Sequence, residues 1–264
     1  MTDIHTHILF GIDDGCFLPE TSMEVLREEA EGGVEEIFLT PHTNTPDPII
    51  RTFEEKKDIL NKKLKEENLN IKLHLGAEVG PEINPSVYLN ENYDITMGGK
   101  GKYILIGPYF TPTFNKNTFE YVIYDIQNMG KIPIIAHPER MTYFREDPDL
   151  LMNYVNRGCL LQVNGTSLLG NRGEECKNFA EKILKLNWVT FIASDTHRSH
   201  GRSVMKKTFD YLTETIGEKK AKQYLCENPK LITENIPYSN YDFLEWTEEK
   251  NNKKSFSLFN LFKK

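Results

Sequence analysis

The strongest constraint on this chain is an alternation. Short apolar runs are followed by longer amphipathic stretches, and most of the apolar runs end at a histidine or a carboxylate. Strands are predicted over residues 2–7, 37–40, 73–78, 103–106, 132–136, 160–163 and 190–193. Helices are predicted over 21–32, 53–67, 119–129, 150–156 and 174–186, with mostly helix thereafter. Thr21 followed by Glu24 reads as an N-cap with its capping box. Ile59 and Leu60 mark the apolar side of the second helix. Residues 79–101 are rich in Pro, Asn and Gly and read as loop with a short helix. Strands alternating with helices imply a parallel sheet. Seven such steps, without a Gly-x4-Gly-Lys-Ser/Thr or Gly-x-Gly-x2-Gly phosphate loop, favour a closed α/β barrel over an open doubly wound sheet.

In a parallel barrel the carboxyl ends of the strands carry the site. Five of the seven histidines fall there: His5, His7, His42, His137 and His197. Strand alternation puts His5 and His7 on one face, within reach of a common cation, and Asp195 and His197 form a second such pair. Asp13 and Asp14 follow in a tight turn, Glu78 ends the third strand, and Arg140 and Arg202 follow two of the histidine segments. Each segment alone has a plain structural reading, such as a solvated turn or an exposed strand face. His74, inside a strand, is read as packed or exposed and takes no role. Five strand ends each donating imidazole or carboxylate, taken together, are hard to explain as packing. That donor set, without thiolate, suits Mn²⁺, Fe²⁺ or Zn²⁺.

Composition removes several alternatives. With 264 residues, 39% hydrophobic and 27% charged, the chain reads as globular. A net charge of −7 without a basic stripe argues against nucleic acid. There is no apolar run long enough for a membrane span and no leader before Asp3, so the cytoplasm is expected. Cys16, Cys159, Cys176 and Cys226 form no C-x-x-C pair. A thiolate phosphatase needs C-x5-R, and the residues six positions on are Ser22, Gly165, Lys182 and Ile232. Residues 1–249 are read as the catalytic barrel. Residues 250–264, with five lysines among Phe and Leu, are read as a frayed or docked basic amphipathic tail, or a membrane or partner anchor.

The order D-I-H-x-H, D-D-G, T-P-H, G-A-E, A-H-P-E-R and S-D-x-H, then G-R, resembles the polymerase-and-histidinol-phosphatase superfamily over residues 1–235. The opening D-I-H-x-H-I-L-x-G-I-D-D-G and the A-H-P-E-R stretch are similar to its bacterial capsule-associated, manganese-dependent protein-tyrosine phosphatases. The resemblance implies a distorted (β/α)7 TIM-like barrel with up to three divalent metals. It assigns His5, His7, Glu78 and Asp195 to one metal, Glu78 and His137 to a second, and Asp14, His42 and His197 to a third. It gives Arg140 and Arg202 the phosphate. The implied chemistry is phosphomonoester hydrolysis by metal-activated hydroxide, with a metal-bound water or His200 protonating the leaving group. The implied partner is the phosphotyrosine tail of a bacterial tyrosine autokinase of polysaccharide export. One position departs from the pattern: Gly107 stands where the family usually has a glutamate ligand, with Glu82 or water as possible replacements. The competing readings are a small-molecule phosphatase of the histidinol-phosphate type and a catalytically weak phosphotyrosine-binding module.

Overall fold

A computed structural model of the chain describes residues 1–43, 51–80, 85–86, 94–107, 115–240 and 242–246. Its strands are β1 (Thr2–Thr6), β2 (Glu36–Leu39), β3 (His42–Thr43), β4 (Lys72–Leu75), β5 (Glu78–Val79), β6 (Tyr103–Ile106), β7 (Ile132–Ala136), β8 (Leu160–Asn164) and β9 (Val189–Ala193). The helices used below are α1 (Pro19–Glu31), α2 (Arg51–Glu66), α3 (Lys116–Asn128), α4 (Thr142–Glu146), α5 (Pro148–Asn156), α6 (Gly165–Leu168), α7 (Glu174–Lys185) and α8 (Val204–Ile216).

All the strand pairings are parallel, in the orders β1-β2-β4 and β3-β5-β6-β7-β8-β9. β3 follows β2 across Thr40 and Pro41, and β5 follows β4 across Gly76 and Ala77. The backbone bonds Gly76 N to Leu39 O (3.0 Å) and Glu78 N to Pro41 O (3.1 Å) carry the ladder through these breaks. At the other flank Thr6 bridges Thr196, Asp195 N donates to His5 O (2.9 Å) and His7 N donates to Thr196 O (2.9 Å). The architecture is therefore mixed α/β with parallel sheets.

Side-chain alternation sorts the strands into two apolar layers. Ile37, Leu39, Ile104, Ile106, Ile135, Leu161, Val163 and Ile192 pack with helix residues such as Met23, Leu60, Phe119 and Ile183. Ile4, Phe38, Tyr103, Leu105, Ile134, Leu160 and Phe191 form a second cluster to which both sheets contribute. Strict alternation from Ile4 would aim His5 and His7 at the helix layer. Instead the β1–β2 register shifts between Asp3 and Thr6, an irregularity of the β-bulge kind. His5 and His7 thereby turn to the side of Gln162, as bulges beside functional sites do.

Three expectations need correction. Helix α1 begins at Pro19 with Leu18 as N-cap, so Thr21 is the third helical residue; its hydroxyl donates to Leu18 O (2.7 Å). Proline is pre-set for the first helical position, and that moves the start ahead of the threonine. On α2, Leu60 is fully buried but Ile59 is 45% exposed. Adjacent residues lie about 100° apart on a helix, so only one joins the face formed by Phe53, Leu60 and Leu64. The third predicted strand, 73–78, is two short strands broken at Gly76.

The expected tail, 250–264, lies outside the described residues, as do Glu82 and Pro108. Before it, Leu244 N donates to Leu186 O (2.9 Å), the Trp188 indole donates to Leu244 O (2.7 Å) and Trp246 packs on Trp188, so Leu244 and Trp246 are docked on the body. Among the described residues no helix is long and apolar enough to cross a membrane.

Candidate metal centre

The carboxyl ends of the strands bring together all eight residues singled out as ligands. His7, Asp14, His42 and His197 offer donor atoms within 4.8 Å of one another, as do His5, His137 and Asp195, and His5, His7 and Glu78. The grouping differs from the expected one: Asp195 and His137 sit together with His5, and His7 joins Asp14, His42 and His197 as well as His5 and Glu78. His5, His7, Glu78, His137 and Asp195 are buried, whereas His42, His197 and above all Asp14 reach the surface.

Hydrogen bonding fixes which ring nitrogens point inward. Asp195 Oδ2 accepts from Arg140 Nη1 (2.7 Å) and from Asn164 Nδ2 (2.7 Å). The Asn164 oxygen must then face Gln162 Nε2 (2.8 Å), which leaves the Gln162 oxygen facing His5 Nδ1 (2.8 Å). A carboxylate can only accept, so it sets the polarity of the whole chain, and His5 carries its proton on Nδ1. Asp13 Oδ2 does the same for His7, accepting from Nδ1 at 2.7 Å. His197 Nδ1 donates to the Asp195 carbonyl (3.0 Å). The three Nε2 lone pairs therefore point inward.

His5 Nε2 and His7 Nε2 lie 3.0 Å apart, and Glu78 Oε2 is 3.4 and 3.2 Å from them. Asp195 Oδ1 is 3.6 and 3.3 Å away from the same two nitrogens. Asp14 Oδ1 is 3.5 Å from both His42 Nε2 and His197 Nε2. Lone pairs and carboxylates crowded into a buried space repel unless a cation is shared among them, so these residues fit divalent metal ions.

In the protein alone the carboxylates favour positive charge here, so a proton takes the place a metal ion would fill. Burial pushes His5 and His7 down, yet the carboxylates around them hold both above the ordinary imidazole value. Burial pushes Glu78 and Asp195 up, yet the imidazoles hold both below the carboxylate range. The backbone is strained here too. Five described non-glycine residues have positive φ, and the two that are not asparagine are His137 (35°) and Asp195 (52°). Such strain concentrates at functional sites.

Gly107 has a packing consequence. A Cβ there would lie 2.0 Å from Glu78 Oε1 and 2.4 Å from its Cδ. Glu78 thus occupies the space that a side chain from the end of β6 would need, while its Oε1 meets His137 Nε2 (3.0 Å). Gly15 likewise permits the turn to cross His7: a Cβ would fall 1.7 Å from the His7 carbonyl oxygen.

Several contributors were missed in the sequence. Asp13 was grouped with Asp14 as a turn carboxylate, yet it orients His7 and accepts from the backbone N–H groups of His42 (3.0 Å) and Gly15 (3.0 Å). Gln162 and Asn164 carried a signal, being amides in an otherwise apolar strand that need partners when buried. Arg140 lines a cavity of about 690 Å³ in front of the centre, together with Arg172, Arg198 and His200. Arg202 is exposed and is not among the lining residues.

The family model for capsular polysaccharide synthesis proteins CpsB/CapC matches residues 1–234. The tyrosine-protein phosphatase YwqE of Bacillus subtilis is 33% identical over 241 residues, 89% of each chain. A putative tyrosine-protein phosphatase CapC of Staphylococcus aureus is 33% identical, covering 93% of this chain and 98% of its own. The tyrosine-protein phosphatase CpsB of Streptococcus pneumoniae is 28% identical, covering 88% and 98%. A crystal structure from a study of YwqE and CpsB as metal-dependent tyrosine phosphatases superposes with a TM-score of 0.83 at 30% identity, over 94% of this chain and all of the other. By sequence and by fold, this chain belongs to the CpsB/CapC family of capsular polysaccharide synthesis.

Proposed function

We propose that this chain is a metal-dependent protein-tyrosine phosphatase whose centre is built by His5, His7, Asp14, His42, Glu78, His137, Asp195 and His197. The observation that carries this reading is the inward convergence of the His5 and His7 Nε2 lone pairs on Glu78 and Asp195. Divalent ions held there, Mn²⁺ in our reading and up to three in number, supply an activated water and neutralise charge on the phosphoryl group. Arg140, tethered to Asp195 and lining the cavity, binds the non-bridging oxygens by charge-assisted hydrogen bonds. Arg202, two residues beyond His200 on the same loop but outside the cavity lining, is read as a second guanidinium that meets the phosphate once substrate is bound. His200 holds a proton near the leaving oxygen, which for tyrosine is a phenolate needing little help.

We read the two sheets as one distorted seven-stranded barrel. The β1–β9 backbone bonds and the apolar cluster shared by both sheets support this. The barrel is taken as residues 1–249 with the tail as an appendage. The substrate is read as the phosphotyrosine tail of a bacterial tyrosine autokinase, in keeping with the family's link to capsule synthesis, and the compartment as the cytoplasm, where four free cysteines remain reduced.

The test is turnover of a phosphotyrosine peptide, with histidinol phosphate beside it, before and after chelation and Mn²⁺ add-back. Loss on chelation, recovery on add-back and preference for the peptide are expected. Turnover that survives complete chelation would refute the proposal.

A further inference from the structure

The cavity in front of the centre is larger than the proposed reaction requires. A single phosphoryl group fills a small part of about 690 Å³, a volume typical of sites that enclose a whole small ligand. Its walls carry more positive charge than the phosphate needs. Besides Arg140 they include Arg172, on the turn between α6 and α7, and Arg198, on the loop after β9. The acidic lining is Asp14 and Asp195. Both carboxylates face imidazoles of the centre, and Asp195 also holds Arg140. Neither Arg172 nor Arg198 makes an ion pair among the described residues.

Arg172 and Arg198 are exposed on the cavity wall, solvated but without a carboxylate partner among the described residues, so both are open to an anion that enters the cleft. Burial and the neighbouring Arg172 push the Arg140 guanidinium below its ordinary value against the pull of Asp195, which places Arg172 within electrostatic reach of Arg140. The Arg198 loop is also held in place. Thr196 Oγ1 donates to the Arg198 carbonyl (3.0 Å). On helix α1, the Glu28 carboxylate accepts from Ser199 Oγ, from His200 N (2.9 Å) and from Gly201 N (2.8 Å). A pinned backbone carrying a cation on the rim of a cleft is pre-organised for an anion, and the guanidinium fork matches carboxylate and phosphoryl oxygens alike.

We propose that Arg172 and Arg198 form a second anion subsite at the mouth of the metal cleft, which binds an acidic group flanking the phosphotyrosine of the same peptide. The proposal rests on the phosphatase reading and narrows it: the preferred substrate is an acidic or multiply phosphorylated tyrosine segment. The group bound is a carboxylate or a second phosphoryl group.

The full chain with Mn²⁺ is assayed on three peptides of equal length, with the phosphotyrosine flanked by glutamine, by glutamate or by a second phosphotyrosine. Either acidic peptide is expected to exceed the glutamine peptide about tenfold or more in kcat/KM, through KM. The glutamate and phosphotyrosine arms show which anion is preferred. The double variant Arg172→Ala/Arg198→Ala is expected to bring the ratio to within about twofold of one, whereas Arg202→Ala lowers turnover on all three peptides alike. A wild-type ratio near one, or a ratio unchanged in the double variant, overturns the subsite while leaving the phosphatase reading intact. If no peptide is turned over with any metal, the phosphatase reading fails. The subsite is then read from fluorescence anisotropy with phosphonate analogues of the three peptides. A tenfold difference in Kd that vanishes in the double variant supports it, and equal Kd values overturn it.

Discussion

His74, in β4, and His7, just past the end of β1, each have a carboxylate at hydrogen-bond distance, yet they sit in opposite situations. His74 Nε2 meets Glu36 Oε2 at 2.6 Å and its ring stacks on Phe38 with centroids 4.6 Å apart. Burial lowers its pKa, and one carboxylate satisfies the ring. His7 also has a carboxylate partner, Asp13, but on Nδ1, which leaves Nε2 aimed at His5, Glu78 and Asp195. One ring is closed by its partner and the other is pointed by it. A histidine becomes a ligand candidate through what its second nitrogen is left to face.

The largest break in this comparison comes from the pointed region. Asp195→Asn removes the charge from the group it forms with His5 and His137 and loosens its hold on Arg140, and phosphotyrosine-peptide kcat/KM should fall roughly a hundredfold to a thousandfold with loss of bound metal. Gly107→Ala should push Glu78 off its position and weaken metal binding by about tenfold or more, read by metal-binding calorimetry. Gln162→Leu and Asp13→Asn leave every ligand in place but free the rings to choose the other tautomer. Each should cost about 10-fold to 100-fold in metal affinity or activity. In the closed region, His74→Gln should leave turnover within about twofold of the wild type and cost roughly 1 kcal/mol of stability in a denaturant titration.

An effect away from the comparison is a pH dependence of stability just outside the centre. Burial, then the neighbouring Asp3 carboxyl, push Glu29 up to about 7 from an ordinary 4.5. A carboxyl raised by folding stabilises fully below its unfolded value, and that stability is lost as pH rises through the folded value. Wild type therefore loses stability between about pH 4.5 and 7. Glu29→Gln escapes this loss, so its Tm relative to wild type should rise between pH 5 and pH 8, by an amount worth at most about 3 kcal/mol. A flat difference between those pH values would remove Glu29 as the cause.

The region that was easiest to read in the sequence was the ligand set, because imidazoles and carboxylates at strand ends need no knowledge of neighbours to be noticed. The alternation of strands and helices was legible for the same reason, being a local pattern. What could not be read was non-local. The irregularity that turns His5 and His7 inward is a register event between β1 and β2, and Asp-Ile-His-Thr-His is compatible with either register. The contribution of Gln162 depends on β8 lying opposite His5, 157 residues away in sequence. Nothing near Arg172 in the chain marks it, and only the fold brings it beside Arg140. Gly107 was visible as a departure, but that Glu78 fills its space is a fact of packing.

The claim on which the account depends is that the two inward-facing imidazoles share cations with Glu78 and Asp195. Anomalous diffraction from crystals grown with Mn²⁺, recorded on both sides of the manganese edge, tests this directly. The account predicts manganese peaks enclosed by His5, His7, Glu78 and Asp195 and beside Asp14, His42 and His197. Well-ordered crystals with no anomalous peak among these side chains would contradict it.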